Sequence, residues 1–179
     1  MPQETLEVTA VSTPNNWGLG AGADKVVAVN SPDDADTSYI NATALGAAQQ
    51  QYAVANTSAL QAGDTVNFVR IRKRMAKAVP SHNVGAFATA VLGGSTSNGA
   101  TVTPAITYAD TDDDFATKPG GGAWAKADVD AVEIRLTELS DPELGNGTIK
   151  CTTFKVIVDY TPAPSGPSAG SLRLMGVGR

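Results

Sequence analysis

Residues 64–79 read DTVNFVRIRKRMAKAV and contain the longest continuous strand pattern in the chain. From Val69 onward the apolar residues take alternate positions, at Val69, Ile71 and Met75, and Lys73 interrupts their row. Basic residues occupy the other positions. An alternation with period two places one face against a core and the other in solvent, as in an antiparallel sheet. The stretch therefore predicts a central strand of an all-β domain.

Two neighbouring apolar residues, Phe68 and Val69, break this alternation. A β-bulge inserts one extra residue into a strand and would account for the break. A segment covered on both faces would account for it as well. We expect one of these two irregularities at this point of the strand.

Short strand patterns recur along the rest of the chain, separated by Gly, Pro, Asn and Asp. One of them, at 84–92, places Phe87, Thr89 and Val91 on one face, and the run KVVAVN at 25–30 also has a strand-like composition. Many short strands with turn residues between them are typical of a sandwich or a jelly roll. We expect an antiparallel, jelly-roll-like β-sandwich of about eight to ten strands over residues 1–162.

The composition changes after residue 162. The stretch TPAPSGPSAG has no periodicity and is typical of a linker. Residues 163–179 are therefore predicted to be an extended C-terminal tail, which ends in SLRLMGVGR. This end is either frayed or a peptide that docks on another subunit, for example by adding a strand to an exposed sheet edge. Its candidate partner-binding residues are Leu172, Arg173, Leu174, Met175, Val177 and Arg179.

The composition limits the classes of function. The 179 residues are 42% hydrophobic and 17% charged, which fits one substantial core. The formal net charge of −5 argues against a general nucleic-acid binder, which would have to neutralise phosphates. No apolar window is long enough to span a bilayer and no leader or lipidation signal is recognisable, so we expect no membrane association.

Catalytic chemistry has little support in the sequence. The chain has one cysteine, Cys151, and one histidine, His82. Most metal, triad and thiol mechanisms need more such groups, and Cys151 fits a small buried hydrophobe. A glycosidase could work with carboxylates alone, but no pair of carboxylates stands out. We expect no enzyme and no cofactor.

Two acidic clusters are weak candidates for a calcium site. Calcium takes several oxygen ligands, which either cluster or the two together could supply. Acidic turns before strands are common without any ion, because Asp bonds its own backbone, and we prefer this interpretation. The candidate residues are Asp33, Asp34, Asp36, Asp112 and Asp114.

The basic face of the central strand, with Arg70, Arg72 and Arg74, is a further candidate surface. Pairing with acidic neighbours across the sheet is the simpler interpretation. A contact surface for an acidic partner is the alternative. The glycines at 18, 20 and 22 imitate a nucleotide-binding run, but we expect a flexible loop that lets Trp17 lie over the end of the core.

Four stretches together resemble a known family. These are DDADTSYI at 33–40, the strand at 64–79, AWAKADVDAVEIRL at 123–136 and CTTFKVIVDYTP at 151–162. They are similar to the jelly-roll β-sandwich virion structural proteins of tailed bacteriophages, over roughly residues 15–162. The matching positions are Asp33, Asp34, Thr37, Tyr39 and Ile40, then Trp124 and Asp128, and finally Val158, Asp159 and Tyr160.

The resemblance implies a non-enzymatic virion protein, made in a host cytoplasm, that decorates or cements the head or forms part of a neck or tail appendage. It would act through assembly, as a homo-oligomer with a trimer favoured, and would contact other virion proteins such as the major capsid protein. The alternative is a module that binds a glycan or a cell surface. In that case Trp17, Tyr39, Tyr52 or Trp124 would serve as stacking platforms.

Overall fold

The computed structural model describes residues 1–30, 35–42, 48–80, 84–139 and 149–164. These ranges contain eleven strands and two short helices, in the order β1 (Gln3–Leu6), β2 (Val8–Asn15), β3 (Gly18–Ala21), α1 (Lys25–Asn30), β4 (Tyr39–Ala42), β5 (Gln49–Val54), β6 (Thr65–Lys77), β7 (Gly85–Leu92), β8 (Ser95–Asn98), β9 (Ala109–Phe115), α2 (Lys126–Ala131), β10 (Glu133–Leu139) and β11 (Ile149–Thr161). No helix in these ranges is long and apolar enough to cross a membrane.

The strands form two antiparallel sheets. The six-stranded sheet has the order β3-β4-β11-β6-β9, with β1 also paired to β11, and the five-stranded sheet has the order β2-β5-β10-β7-β8. Strands β4 to β11 alone give the two quartets 4-11-6-9 and 5-10-7-8, which is the strand order of a jelly roll. The predicted all-β, antiparallel, jelly-roll-like sandwich is confirmed. The N-terminal strands β1, β2 and β3 raise the strand number above the prediction.

Strand β6 follows the alternation read from the sequence. Val69, Ile71 and Met75 lie in the core between the sheets. Val66 pairs with Tyr160 and Phe68 with Asp159, so Asn67 is an extra residue opposite this part of β11. The break at Phe68 and Val69 is therefore the result of a β-bulge, which was one of the two expected explanations.

The prediction of a strand at 25–30 is wrong, because this run forms helix α1. The Asp24 carboxylate accepts hydrogen bonds from the backbone N–H groups of Val26 and Val27, both at 2.8 Å, and so caps the first turn. Ala28 and Val29 bury the inner side of the helix. A side-chain cap and tertiary packing outweigh the strand preference of the valines.

The loop prediction for the glycine run is also wrong. Residues 18–21 form β3, which pairs with β4. Trp17 is buried, as expected, and its indole N–H donates to the carbonyl oxygen of Ala48 at 3.1 Å. The glycines serve packing, since a Cβ at Gly20 would lie 2.0 Å from the Tyr39 ring.

Candidate functional site

The outer face of the six-stranded sheet is covered by ion pairs between β6 and β9. Arg70 holds Asp114 through two hydrogen bonds of 2.6 and 2.7 Å. Arg72 holds Asp112 in the same way at 2.8 and 2.7 Å. The antiparallel register places each arginine directly opposite its aspartate. We call this set, together with Arg74 and its partners, the arginine–aspartate ladder.

Arg74 brings the two acidic clusters together. It holds Asp36 through two hydrogen bonds of 2.7 and 2.8 Å, and it also contacts Asp110 at 3.3 Å. The same kind of pairing lowers the pKa of Asp112, with the hydrogen bond from Arg72 as the largest cause. All three arginines that were predicted as a partner surface are thus engaged by carboxylates of their own chain.

The candidate calcium ligands also lie in this ladder, as far as the structure describes them. Asp36, Asp112 and Asp114 face guanidinium groups, and the latter two lie in strand β9 and not in a loop. No group of three His, Cys, Asp or Glu side chains that could hold a metal ion occurs among the described residues. Asp33 and Asp34 lie outside the described residues, as do the tail residues at 172–179.

Three of the four aromatic residues that were considered as stacking platforms lie in the core and not on a surface. Trp17, Tyr52 and Trp124 are buried in the core, with exposed fractions of 2%, 0% and 4%. Each donates a hydrogen bond to a backbone carbonyl, which satisfies the polar end of a buried aromatic ring. Tyr39 is half-buried beneath the Lys150 ammonium group, 4.4 Å from its ring centroid. The prediction that these rings form exposed platforms is wrong for the three core residues.

The outer face of the five-stranded sheet has a different character. It carries polar side chains from four adjacent strands, and β-sheet alternation places them opposite the core-facing residues Tyr52, Ile134 and Leu136. Arg135 of β10 pairs with Gln51 of β5 on one side and with Thr89 of β7 on the other. We call this surface the polar face. Its polar residues are Ser12, Gln49, Gln51, Thr89, Glu133, Arg135 and Thr137, and the register adds the apolar residues Ala53, Phe87 and Val91.

One carboxylate on the polar face is fixed by its neighbours. The Glu133 carboxylate accepts a hydrogen bond of 2.5 Å from the Ser12 hydroxyl and another of 2.8 Å from the Gln51 amide. On the far side, the Thr89 hydroxyl bonds to the Asn98 side-chain oxygen at 2.9 Å. The rotamers of these side chains are therefore set before any ligand arrives.

Two polar atoms of the same face have no hydrogen-bond partner among the described residues. The Arg135 Nε and the Thr137 hydroxyl oxygen are buried and make no hydrogen bond with any described residue. Thr137 is 2% exposed, although it points away from the core. A buried donor without an acceptor costs about 1–3 kcal/mol, so such atoms are rare in folded proteins and call for a specific explanation. An ordered water enclosed beside these atoms would supply the missing partners.

The polar face was not recognised in the sequence. Glu133 and Arg135 have the alternation of an ordinary solvent-facing strand, and nothing local separates them from the residues of the arginine–aspartate ladder. Only the pairing of β10 with both β5 and β7 brings Gln51, Arg135 and Thr89 into one row. The available signal, an arginine between two apolar core residues, is too common to be specific.

A cavity of about 460 Å³ is lined by residues 61–64, 124–127 and Asp130. Lys126 bonds to Asp130 at 2.8 Å on its wall. The backbone N–H of Ala163 donates to Asp64 at 2.9 Å, so the chain leaves its last strand at the rim of this cavity.

Comparisons with known proteins report a likeness in fold. No protein-family model matches the chain, and no curated protein matches it. The C-terminal CBM6 of LamC, a marine laminarinase from Zobellia galactanivorans, aligns with a TM-score of 0.47 and 13% identity, over 88% of this chain and all of that one.

Two further solved structures are similar. TmCBM61 in complex with β-1,4-galactotriose aligns with a TM-score of 0.37 and 11% identity over 87% of each chain. The family 11 carbohydrate-binding module from Clostridium thermocellum, in complex with a β-1,3-1,4-mixed-linked tetrasaccharide, aligns with a TM-score of 0.36 and 15% identity, over 86% of this chain and 94% of that one. At these values the likeness concerns the two-sheet β-sandwich alone.

Proposed function

We propose that this chain is a non-catalytic binding module that holds a glycan on the polar face of its five-stranded sheet. The observation that supports this proposal most directly is the row of hydrogen-bonding side chains on that face, in which Glu133 and Arg135 are partly exposed and Arg135 forms no ion pair with a described carboxylate. On the opposite sheet, by contrast, the described arginines are held by aspartates.

The chemistry of the polar face fits sugar hydroxyls, which both donate and accept hydrogen bonds. Glu133 accepts, Arg135 donates, and Gln51 and Thr137 can do both. Phe87 lies beside Thr137 in the next strand and is half-buried, so it offers an apolar edge to the C–H groups of a sugar ring. A few placed polar groups beside apolar surface are typical of ligand sites.

We choose glycans as the ligand class because two of the similar structures contain bound oligosaccharides. The polar face also has the donors and acceptors that a glycan needs. No catalytic step is assigned to the face.

A screen of immobilised glycans followed by isothermal titration calorimetry tests the proposal. We expect Glu133→Gln to weaken binding by roughly tenfold, because it replaces a charged hydrogen-bond acceptor with little change of shape. Asp114→Asn is the matched control, since it makes the same exchange of a carboxylate for an amide on β9 in the other sheet. Tryptophan emission should stay constant, because Trp17 and Trp124 are in the core. A chain that binds no glycan, or a Glu133→Gln variant that binds as well as the parent, would overturn the proposal.

The second candidate is a virion structural subunit of a tailed phage that acts through assembly, as a homo-oligomer with a trimer favoured and with other virion proteins as neighbours. The observation that favours it is the start of the C-terminal tail at the rim of the cavity beside Trp124. Residues 172–177 follow Pro164 by a length of chain that spans up to about 26 Å when extended. We propose that this apolar segment of one copy fills the cavity of the next.

Deletion of residues 165–179 tests this second candidate. The truncated chain should keep the melting temperature of the domain but sediment as a monomer and fail to join phage particles. Ala127→Trp, at an exposed position on the cavity wall, should have the same effect in the full chain, and Ala105→Trp, at an exposed position away from that cavity, is its control. Unchanged assembly and unchanged incorporation after the deletion would contradict the candidate.

A further inference from the structure

We propose that Arg135 makes the polar face selective for glycans that carry a carboxylate, such as oligosaccharides of uronic acids. This inference rests on the proposed glycan-binding function and names the ligand class of the same site.

Arg70, Arg72 and Arg74 each hold an aspartate through paired hydrogen bonds. Arg135 forms no ion pair with any described carboxylate, and its buried Nε has no acceptor. A guanidinium group presents its donors in a planar fork that matches a carboxylate with two parallel hydrogen bonds. Arg135 thus lacks, within the described chain, the kind of partner that the other three arginines have.

The nearby Glu133 carboxylate does not act as the ion-pair partner of Arg135. Glu133 lies two residues away on the same face of β10, and its two oxygens already accept hydrogen bonds from Ser12 and Gln51. Two residues along a strand are about 6.5–7 Å apart, so a glycan that lies along β10 can reach both side chains. The acidic sugar would place its carboxylate at Arg135 and a hydroxyl group of the glycan at Glu133.

Thr137 lies on the other side of Arg135, two residues further along the same face, and is only 2% exposed. Arg135 itself is partly exposed, so its guanidinium group is the donor on β10 that a ligand can reach. Gln51 and Thr89 flank Arg135 in the neighbouring strands and limit the directions in which its side chain can turn.

Because the chain is negatively charged, its preference for an acidic glycan has to come from the groups that contact the glycan carboxylate. The formal charge of −5 does not attract an anionic glycan from a distance. At physiological ionic strength, charges separated by more than about 8 Å are largely screened, so the groups that matter are those in contact with the carboxylate. Hydrogen bonds to a charged group correspond to roughly a 10- to 100-fold gain in affinity for the acidic over the neutral sugar.

The test compares oligogalacturonate with the same oligosaccharide after chemical reduction of its carboxyl groups, by calorimetry on the full chain. We expect the acidic form to bind roughly 10- to 100-fold tighter. Arg135→Gln should remove this preference and keep the binding of the reduced form. Arg135→Lys should keep part of the preference, because it retains the charge but not the planar fork. Arg72→Gln is the matched control in the other sheet and should change neither affinity.

The outcomes separate the inference from the function on which it rests. Equal affinity for the two forms, or a preference that survives in Arg135→Gln, overturns the selectivity and leaves glycan binding in place. Binding of other neutral glycans without binding of either form overturns it as well. The absence of binding to every glycan overturns both proposals. Equal affinity for an oligoglutamate of the same charge overturns the assignment of a glycan, because the site would then recognise the anion and not the sugar.

Discussion

Lys73 and Asp113 form an ion pair inside the sandwich, between the neighbouring strands β6 and β9. The Lys73 side chain is 0% exposed and that of Asp113 is 6% exposed. The Asp113 carboxylate also accepts the backbone N–H of Ala100 at 3.0 Å. A Cβ at Gly99 would lie 2.2 Å from the same carboxyl group. Lys73, which interrupts the apolar row of β6, therefore holds Asp113 in place, and Asp113 in turn binds the segment between β8 and β9 at Ala100.

The first prediction concerns this pair. Lys73→Met leaves Asp113 buried without its cation and should lower the free energy of unfolding by about 3–5 kcal/mol. The double variant Lys73→Met with Asp113→Asn should be less destabilised, because no buried charge remains. Urea unfolding of Lys73→Met, Asp113→Asn and the double variant measures the three losses. If the double variant loses the sum of the two single losses, the pair is not coupled and the prediction fails.

The arginine–aspartate ladder should respond differently, because it is partly exposed. The Arg72 and Asp112 side chains are 33% and 25% exposed. Arg72→Gln should lower the free energy of unfolding by only about 0.5 kcal/mol, and high salt should remove most of that difference. Urea unfolding in 0.1 and 1 M NaCl provides the measurement. A loss as large as that of Lys73→Met, unchanged by salt, would contradict this expectation.

The buried carboxyl group of Glu138 indicates that the stability of the fold depends on pH. Its side chain is 0% exposed, neither carboxyl oxygen bonds to a described residue, and burial raises its pKa from 4.5 to about 7. Between pH 4.5 and about 7, the Glu138 carboxyl group therefore stays protonated in the folded state, whereas the unfolded state releases this proton. Stability should fall as the pH rises through this window, by about 3 kcal/mol, and level off above it.

Urea unfolding at pH 5 and pH 8 tests the role of Glu138. The chain should be less stable at pH 8, and Glu138→Gln should remove most of the difference, since an amide does not titrate. Glu133→Gln is a control on the same strand and should keep it. A parent chain with the same pH profile as Glu138→Gln would count against the prediction.

The glycines of β3 provide a test of packing. A Cβ at Gly20 would lie 2.0 Å from the Tyr39 ring, while one at Gly18 would lie 3.3 Å from the Asn41 side-chain oxygen. Gly20→Ala should therefore lower the free energy of unfolding by about 1–3 kcal/mol through overpacking. Gly18→Ala is the matched control and should cost clearly less. Thermal unfolding of the two variants measures their losses of stability. Equal losses would contradict the overpacking at Gly20.

The sequence by itself determined the fold class and the inward residues of the main strand. Alternation is a local property, because successive side chains of a strand point to opposite faces, so Val69, Ile71 and Met75 could be assigned to the core without any partner strand. The bulge near Phe68 was also detectable, because an extra residue disturbs the same local period. Helix α1 was missed because its six residues are too few to display a helical period, and the Asp24 cap and the burial of Ala28 and Val29 decide its conformation.

Only the tertiary structure decided which residues meet. Ser12 and Glu133 bond across 121 positions of the chain, and Arg74 and Asp36 across 38. Contacts of this kind depend on strand order and register, which closure of the two sheets sets globally and which no short window encodes. The same closure buried Trp17 and Trp124 and left Arg135 without a carboxylate partner in the described chain. For that physical reason the core of this protein follows from its sequence, whereas the polar face follows from its fold.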